Sequence, residues 1–463
     1  MKKEFDFFLP PYTLEEMNFQ INSSQVKDYW HDLVNTNYAF SQTKGEGTVV
    51  FVLDTTYKYS HPDLKDNILE QFAKSFTDDT VDNNNQKHGD HVGGIIGGID
   101  NEIGVIGAAP NTKIVYVRVL NKNGSGTSNW IANGIRYVAD LDMGEEYKDH
   151  KRIINMSLGG PSPIPAVENA MKYANEKGVF ILCAAGNSSY TGSDNVGYPG
   201  KYDDLCITVS SVGETDGFSN FSSGGVAVDV SAYGERIYST YGTGYARLSG
   251  TSMATPLVAG ICALVLSKWG DQIKTIKDLE NFLKIHALDK GPIGEDNQYG
   301  AGIIRVKPLI DNRPDGTTPP DEPDTPDNPI REMRTITMPF EGKWSLIWNN
   351  LTSASQRDFL YDTFVYSDAS NLTEYEIFFV KEVVLDYTSN KFAREAFDLV
   401  WQNFQWYFTN RGMWMRPNDD YVDVAEWTAY FLEVLLKQRG VVVKVLSLKG
   451  TDATGRTVLF NSK

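Results

Sequence analysis

Gly250-Thr251-Ser252-Met253-Ala254-Thr255-Pro256 runs directly into the apolar stretch Leu257 to Trp269, and this junction decides how the rest of the chain is read. A turn of small residues opening a buried helix leaves backbone N–H groups unpaired, where the helix dipole favours negative charge. Pro256 is expected in the first turn, where its missing N–H has no intrahelical partner to lose. Ser252 at such a mouth has the surroundings a nucleophile needs if an oxyanion forms beside it. A capped core helix is the plain alternative, so the reading depends on what lies upstream.

Upstream, Val49 to Leu53, Ile114 to Leu120, Arg152 to Met156, Val179 to Ala184 and Leu205 to Val209 are short β-branched runs without polar alternation. Strands of that kind are covered on both faces. Between them, Trp130 to Leu141 and Ile164 to Lys177 carry helical periodicity. The alternation predicts an α/β domain with a mostly parallel sheet, its active site outside the carboxyl ends of the strands. Residues 314–329 hold six prolines in sixteen positions and no basic residue, which predicts an extended spacer. Beyond it, Tyr375 to Leu385 and Val441 to Leu448 read as strands, and Phe392 to Phe408 and Asp423 to Gln438 as aromatic-rich helices. Phe397, Trp401, Phe404 and Phe408 share one helix face. A packed α+β core explains them; carbohydrate or partner binding is the rival.

The chain's 463 residues suffice for two domains with substantial cores, and 41% hydrophobic with 22% charged residues is an ordinary globular composition. No apolar run is expected to reach the length of a membrane span, and the opening residues Met1 to Asp6 lack a secretory core. Cys183, Cys206 and Cys262 sit in apolar runs and cannot all pair, which fits buried thiols in a reducing compartment. A cytoplasmic protein is expected. The net charge of −17 argues against nucleic acid and anionic membrane as partners.

Three further stretches carry chemistry. Asp54 ends an apolar strand, where a carboxylate can be held rigidly to orient a histidine, although a turn Asp reads the same way. His88-Gly89-Asp90-His91-Val92-Gly93-Gly94 reads as a loop entering a tightly packed helix. Zinc is the rival for His88 and His91, but there is no His-Glu-x-x-His pattern and no cysteine cluster. His91 is therefore expected to hydrogen-bond within the helix packing. Asn187, after Cys183-Ala184-Ala185-Gly186, can donate its amide to a developing oxyanion.

Taken together, Asp54, His88, Asn187 and Ser252 resemble the subtilase (subtilisin-like serine protease) family over residues 20–307. The motifs that carry the resemblance are Gly250-Thr251-Ser252-Met253-Ala254-Thr255-Pro256 and Ser60-His61-Pro62-Asp63-Leu64 after Asp54. The resemblance implies a three-layer subtilisin-like α/β fold over residues 21–312, followed by a linker at 313–330 and a smaller α+β domain at 331–463. It implies a serine endopeptidase acting on peptide or protein substrates through Asp54, His88 and Ser252. Asn187 and the Ser252 N–H would form the oxyanion hole. Gly124-Ser125-Gly126 and Ser157-Leu158-Gly159-Gly160 resemble the two edges that bind substrate as an added strand. Ala184, Ala185, Gly186 and Gly197 would wall a primary pocket for a medium or large apolar side chain. Calcium is implied as a structural metal at Asp63, Ile99, Asn101, Ile103 and Val105, with Gln25 as a candidate further ligand; a solvated turn is the alternative.

The N-terminus resembles the intracellular subtilisins most. Only 53 residues precede Asp54, too few for the long propeptide of secreted relatives. Leu9-Pro10-Pro11-Tyr12 is similar to the blocking stretch of a short prosegment, here assigned to residues 1–20, and implies a zymogen. Proline fixes φ and removes a donor, so such a strand can occupy a cleft without being cut. The family pattern is departed from at Asp90, Gly93, Thr56 and Leu257. Asp90 puts a second carboxylate near His88, which favours the imidazolium. Residues 331–463 are a candidate surface for homodimer or partner contacts; rival functions are a peptide-binding or assembly scaffold that cuts little, and a lipase or esterase. The esterase lacks its Gly-x-Ser-x-Gly elbow.

Overall fold

The computed structural model describes residues 5–18, 25–56, 59–79, 86–292 and 294–314, and five strands in the remainder of the chain. Contacts divide the chain into two compact units, Met1–Pro319 and Pro320–Lys463. In the first unit the strands are β1 (Phe7–Phe8), β2 (Thr13–Asn18), β3 (Thr48–Asp54), β4 (Lys74–Ser75), β5 (Lys113–Arg118) and β6 (Ser125–Gly126). They continue with β7 (Lys151–Met156), β8 (Val179–Ala184), β9 (Ile207–Val212), β10 (Val230–Tyr233), β11 (Ile237–Tyr241) and β12 (Gly244–Ser249). The helices are α1 (Tyr29–Val34), α2 (Thr36–Phe40), α3 (His88–Gly97), α4 (Ser128–Asp140), α5 (Gly144–Tyr147), α6 (Pro165–Glu176), α7 (Thr251–Trp269), α8 (Ile276–His286) and α9 (Val306–Asp311).

Seven strands form one parallel sheet in the order β10-β9-β8-β7-β3-β5-β4. Strand β3 shows why its sequence has no polar alternation. Val50 and Val52 pack into a core shared with α3 and α7, while Val49, Phe51 and Leu53 pack on the other face against α4 and α6. Both faces are covered, and each fully buried large apolar side chain contributes about 1.5–3 kcal/mol. The expected strand at Leu205 to Val209 runs later, from Ile207, because a 3₁₀ turn takes Asp203–Leu205.

Helix α7 corrects the reading of its own opening. It begins at Thr251, so Ser252 lies inside the first turn and Pro256 lies in the helix body. Proline there removes the N–H that would bond the Ser252 carbonyl. The Ser157 hydroxyl replaces it, donating to Ser252 O at 3.0 Å. At 19 residues α7 is also long and apolar enough to cross a membrane, contrary to expectation, but 89% of that stretch is buried inside the fold. It is the core helix between the sheet and α3, which is why it is apolar all round. Cys183, Cys206 and Cys262 are buried and free.

A second, antiparallel sheet has the order β11-β12-β2, and β1 pairs with β6. In the second unit β13 (Arg331–Thr337), β14 (Glu376–Thr388), β15 (Met413–Met415), β16 (Val443–Asp452) and β17 (Thr457–Asn461) form an antiparallel sheet. The strands expected at Tyr375 to Leu385 and Val441 to Leu448 fall on β14 and β16. The helices expected at Phe392 to Phe408 and Asp423 to Gln438, and the spacer after Pro314, lie outside the described residues.

Candidate active site

Sheet order reverses around β3, since β5 lies on one side of it and β7 to β10 on the other. Such a switch point opens a crevice at the carboxyl ends of the strands. Asp54 is the last residue of β3, Ser157 follows β7, and Asn187 lies three residues beyond β8.

His88 opens α3 and its Nδ1 lies 2.9 Å from Asp54 Oδ2, both side chains being fully buried. The other Asp54 oxygen accepts from the Thr55 N–H (2.6 Å) and hydroxyl (3.0 Å). A carboxylate has no proton to donate, so Nδ1 carries the hydrogen of this bond, which leaves Nε2 as the proton-accepting nitrogen of the neutral imidazole. Nε2 is buried and has no hydrogen-bond partner among the described residues. The Ser252 hydroxyl meanwhile donates to the Ser157 carbonyl at 3.4 Å. Ser252 and His88 thus share the crevice without the bond between them being made.

Asn187 is aimed by its own oxygen. Oδ1 accepts from the Thr251 N–H (2.9 Å) and hydroxyl (2.8 Å), so Nδ2 must face the cleft. Asn155 donates to the Ser157 hydroxyl at 3.0 Å, which in turn holds the Ser252 carbonyl. Thr55, Thr251 and Asn155 are supports that the sequence reading missed. Asn155 had a signal, a lone amide in the buried run Arg152 to Met156. Ala184 and Ala185 are buried, and Gly197 donates to the Ala185 carbonyl at 3.0 Å, so these expected pocket residues are contiguous.

The cleft holds the chain's own N-terminal segment. Phe7 and Phe8 pair antiparallel with Gly126 and Ser125, and Leu9 N–H donates to Gly124 O at 2.9 Å. On the opposite side Phe8 exchanges both backbone bonds with Gly159, at 2.8 and 2.9 Å. Close approach requires glycine at 160, where a Cβ would lie 2.2 Å from the Asp6 carbonyl. Phe7 is fully buried in the core that contains Leu120, Ile131 and Leu158, and Leu9 packs against the same core. Then Asn187 Nδ2 donates to the Pro11 carbonyl at 2.7 Å, and the Tyr12 ring lies 5.1 Å from the His88 ring.

Three of the departures from the family pattern meet in one place. The Thr56 hydroxyl donates to Asp90 Oδ1 at 2.8 Å. A Cβ at Gly93 would lie 2.0 Å from the Tyr116 hydroxyl, so glycine makes room for that phenol. Burial first, then the Asp90 charge, pushes the Tyr116 and Tyr59 phenols well up. Leu257, the fourth departure, is simply a core residue. His91 packs as expected: its Nε2 lies 3.0 Å from the carbonyls of Ile237 and Ala246, and burial holds its pKa down at about 3.

At the loop after α3, Gln25 Nε2 donates to the carbonyls of Ile99 (2.7 Å) and Val105 (3.2 Å). Asp63 Oδ2 accepts from Val105 N–H and the Tyr245 hydroxyl, while Oδ1 is buried without a hydrogen-bond partner among the described residues. Asn101 Oδ1 accepts from Ile103 N–H at 3.2 Å. No group of three or more His, Cys, Asp or Glu able to hold a metal occurs among the described residues. The Ile99 and Val105 carbonyls, which meet at the Gln25 amide, and the Asp63 carboxylate bonded to Val105 N–H are nevertheless donors of the hard-oxygen kind that a hard cation takes.

Residues 45–302 match the family described as the subtilase family. Subtilisin DY of Bacillus licheniformis is 38% identical over 266 residues, 57% of this chain and 91% of that protein. An intracellular serine protease of Paenibacillus polymyxa is 40% identical over 242 residues, 50% of this chain and 71% of that protein. Thermitase of Thermoactinomyces vulgaris is 38% identical over 244 residues, 52% of this chain and 83% of that protein. The match over residues 45–302, which takes in the buried carboxylate–imidazole pair, the serine in the first turn of α7 and the parallel sheet, means that the chain belongs to the subtilase family of subtilisin-like serine endopeptidases.

Proposed function

We propose that Ser252 is the nucleophile of this endopeptidase, His88 its general base and acid, and Asp54 the group that orients His88. The observation that carries the reading is a peptide lying in the cleft with one carbonyl at the Asn187 amide. For reaction, Ser252 Oγ turns from the Ser157 carbonyl and gives its proton to His88 Nε2 as it attacks the scissile carbonyl. Asp54 accepts the Nδ1–H throughout and stabilises the imidazolium. The oxyanion is met by Asn187 Nδ2 and the Ser252 N–H; loss of one such donor costs roughly 10²–10³ in kcat, as measured in subtilisin. His88 returns the proton to the leaving amine, and water then releases the acyl group from Ser252. Substrate adds as a strand between Gly124-Ser125-Gly126 and Ser157-Leu158-Gly159-Gly160, with Ala184, Ala185, Gly186 and Gly197 at the primary pocket.

In this reading residues 1–20 are an inhibitory segment of a zymogen, with Leu9, Pro10, Pro11 and Tyr12 as the block. Two successive prolines fix φ and offer no N–H to the cleft edges, so the Pro11–Tyr12 bond lies at the Asn187 amide with its geometry spoiled for cleavage and the segment binds without being cut. Residues 21–312 form the peptidase domain, 313–330 a linker and 331–463 an appended domain. Calcium would be held by Asp63, Ile99, Asn101, Ile103 and Val105, with Gln25 beside them, and would tie the loop after α3 to the N-terminal arm. The relative named an intracellular serine protease, together with three buried free thiols, supports a cytoplasmic location.

A fluorophosphonate probe tests the assignment. Labelling of the wild type but not of Ser252→Ala is expected, with stronger labelling once residues 1–20 are deleted. Equal labelling of both proteins removes Ser252 from the role.

A further inference from the structure

We propose that Arg236 and Ser249 form a carboxylate-binding subsite on the leaving-group side of the cleft. The enzyme would then favour peptide substrates with an acidic residue four positions beyond the cleaved bond. The inference rests on the reading that the N-terminal segment follows the path of a substrate.

Beyond Tyr12 the segment becomes β2 and adds to the edge of β12, with Thr13 opposite Ser249 and Leu14 opposite Leu248. The register then shifts, and Glu16 is opposite Arg247, so Glu15 is the extra residue of a bulge. Bulges re-aim side chains. The Glu15 carboxylate is directed at two groups of the peptidase domain: Ser249 Oγ donates to Oε1, and Arg236 Nη1 donates to Oε2 at 2.5 Å.

These two groups are set in place by the domain itself. Arg236 has a left-handed backbone (φ 54°), uncommon for a side chain of this kind. Its N–H donates to Ser249 Oγ at 2.8 Å, and its carbonyl accepts from Arg247 Nη1 at 2.6 Å. Arg247 also pairs with Asp28 at 2.9 Å, which directs that charge elsewhere. A strained residue fixed from both sides, beside a buried hydroxyl, is a preformed receptor for two carboxylate oxygens. It stays in place when the segment leaves, because the turn between β10 and β11 and the end of β12 build it. Counting from Pro11, whose carbonyl Asn187 holds, Glu15 is the fourth residue downstream.

The test uses the full chain. Glu15→Lys and Arg236→Glu should each raise hydrolysis of a reporter peptide too short to reach the subsite, by roughly three- to fivefold, and the double charge swap should return it to the wild-type rate. In the Glu15→Lys chain, kcat/KM for a quenched peptide with Glu at the fourth leaving-side position should exceed that for Gln by roughly threefold, with Lys lowest. In the Arg236→Glu chain the order should reverse to favour Lys. Equal rates for all three peptides, in chains that cut the short reporter, overturn the subsite. Chains inert toward both the short reporter and the fluorophosphonate probe overturn instead the assignment of Ser252.

Discussion

Upstream of Pro11, backbone hydrogen bonds to Gly124, Gly126 and Gly159, the burial of Phe7 with Leu9 packed against the same core, and the Asp6 carboxylate, which accepts from the Ser128 N–H at 2.9 Å, hold the N-terminal segment. Downstream of it the strand added to β12 carries a side-chain anchor, Glu15 on Arg236 and Ser249. Backbone bonds accept any sequence and are little affected by salt, so the upstream half discriminates chiefly through pockets such as the one Phe7 fills, with the N–H at the start of α4 meeting the Asp6 carboxylate. An ion pair whose arginine is 62% exposed discriminates by charge and is screened by salt. Both halves add as strands; the upstream one is fixed mainly by apolar burial and the downstream one by an ion pair.

Five experiments would break or sharpen that contrast. Phe7→Ala empties the upstream pocket, and truncating a buried aromatic costs about 3–5 kcal/mol. Peptidase activity of the full chain should rise by roughly 10²-fold or more, up to the limit at which no enzyme remains blocked. Asn187→Leu keeps both edges and removes the donor between them; kcat should fall roughly 10²–10³-fold with KM little changed, read by steady-state kinetics. Chelation of calcium should lower Tm, since a ligand present at about 100 times its Kd stabilises by about 2.7 kcal/mol. Asp63→Asn should abolish that response to chelator.

Acid should act on the downstream half through His91, which bonds α3 to the β11-β12 sheet. Burial, then the nearby His88, lowers its pKa to about 3, so the unfolded chain binds the proton first as pH falls. A depressed folded pKa means stability that is complete above about 6.5 and is lost toward pH 3, at about 1.4 kcal/mol per pH unit. His31, lowered to about 3 chiefly by burial, adds a similar slope. Stability measured by denaturant from pH 7 to pH 4 should decline less steeply in His91→Asn. An unchanged slope would show that His91 is not the group responsible. The smallest effect is salt: 1 M NaCl should weaken the Glu15 anchor by under about 1 kcal/mol. Activity of the full chain should rise a few-fold, and not at all in Arg236→Ala.

Much of the fold could be read from local pattern. The strand expected at Val179 to Ala184 has those bounds, and the helix expected at Trp130 to Leu141 spans Ser128–Asp140. Each depends on periodicity within a dozen residues, which a single sequence displays. The expectation for Pro256 failed because its tolerance depends on Ser157, some hundred residues away, supplying a hydroxyl to the bond that proline cannot make. Thr56, Asp90 and Gly93 show the same limit. Read singly they are departures from a family pattern, and only their contact explains why glycine and threonine accompany a buried acid.

The order of Asp54, His88, Asn187 and Ser252, the apolar runs behind them and the doubled proline are properties of the chain as written, because residue type and spacing along it suffice to state them. Which hydroxyl relieves a proline, which carbonyl an amide meets and which arginine a glutamate finds were decided by tertiary structure. Hydrogen bonds and ion pairs act over a few ångströms, and only folding brings residues 15 and 236, or 11 and 187, within that range.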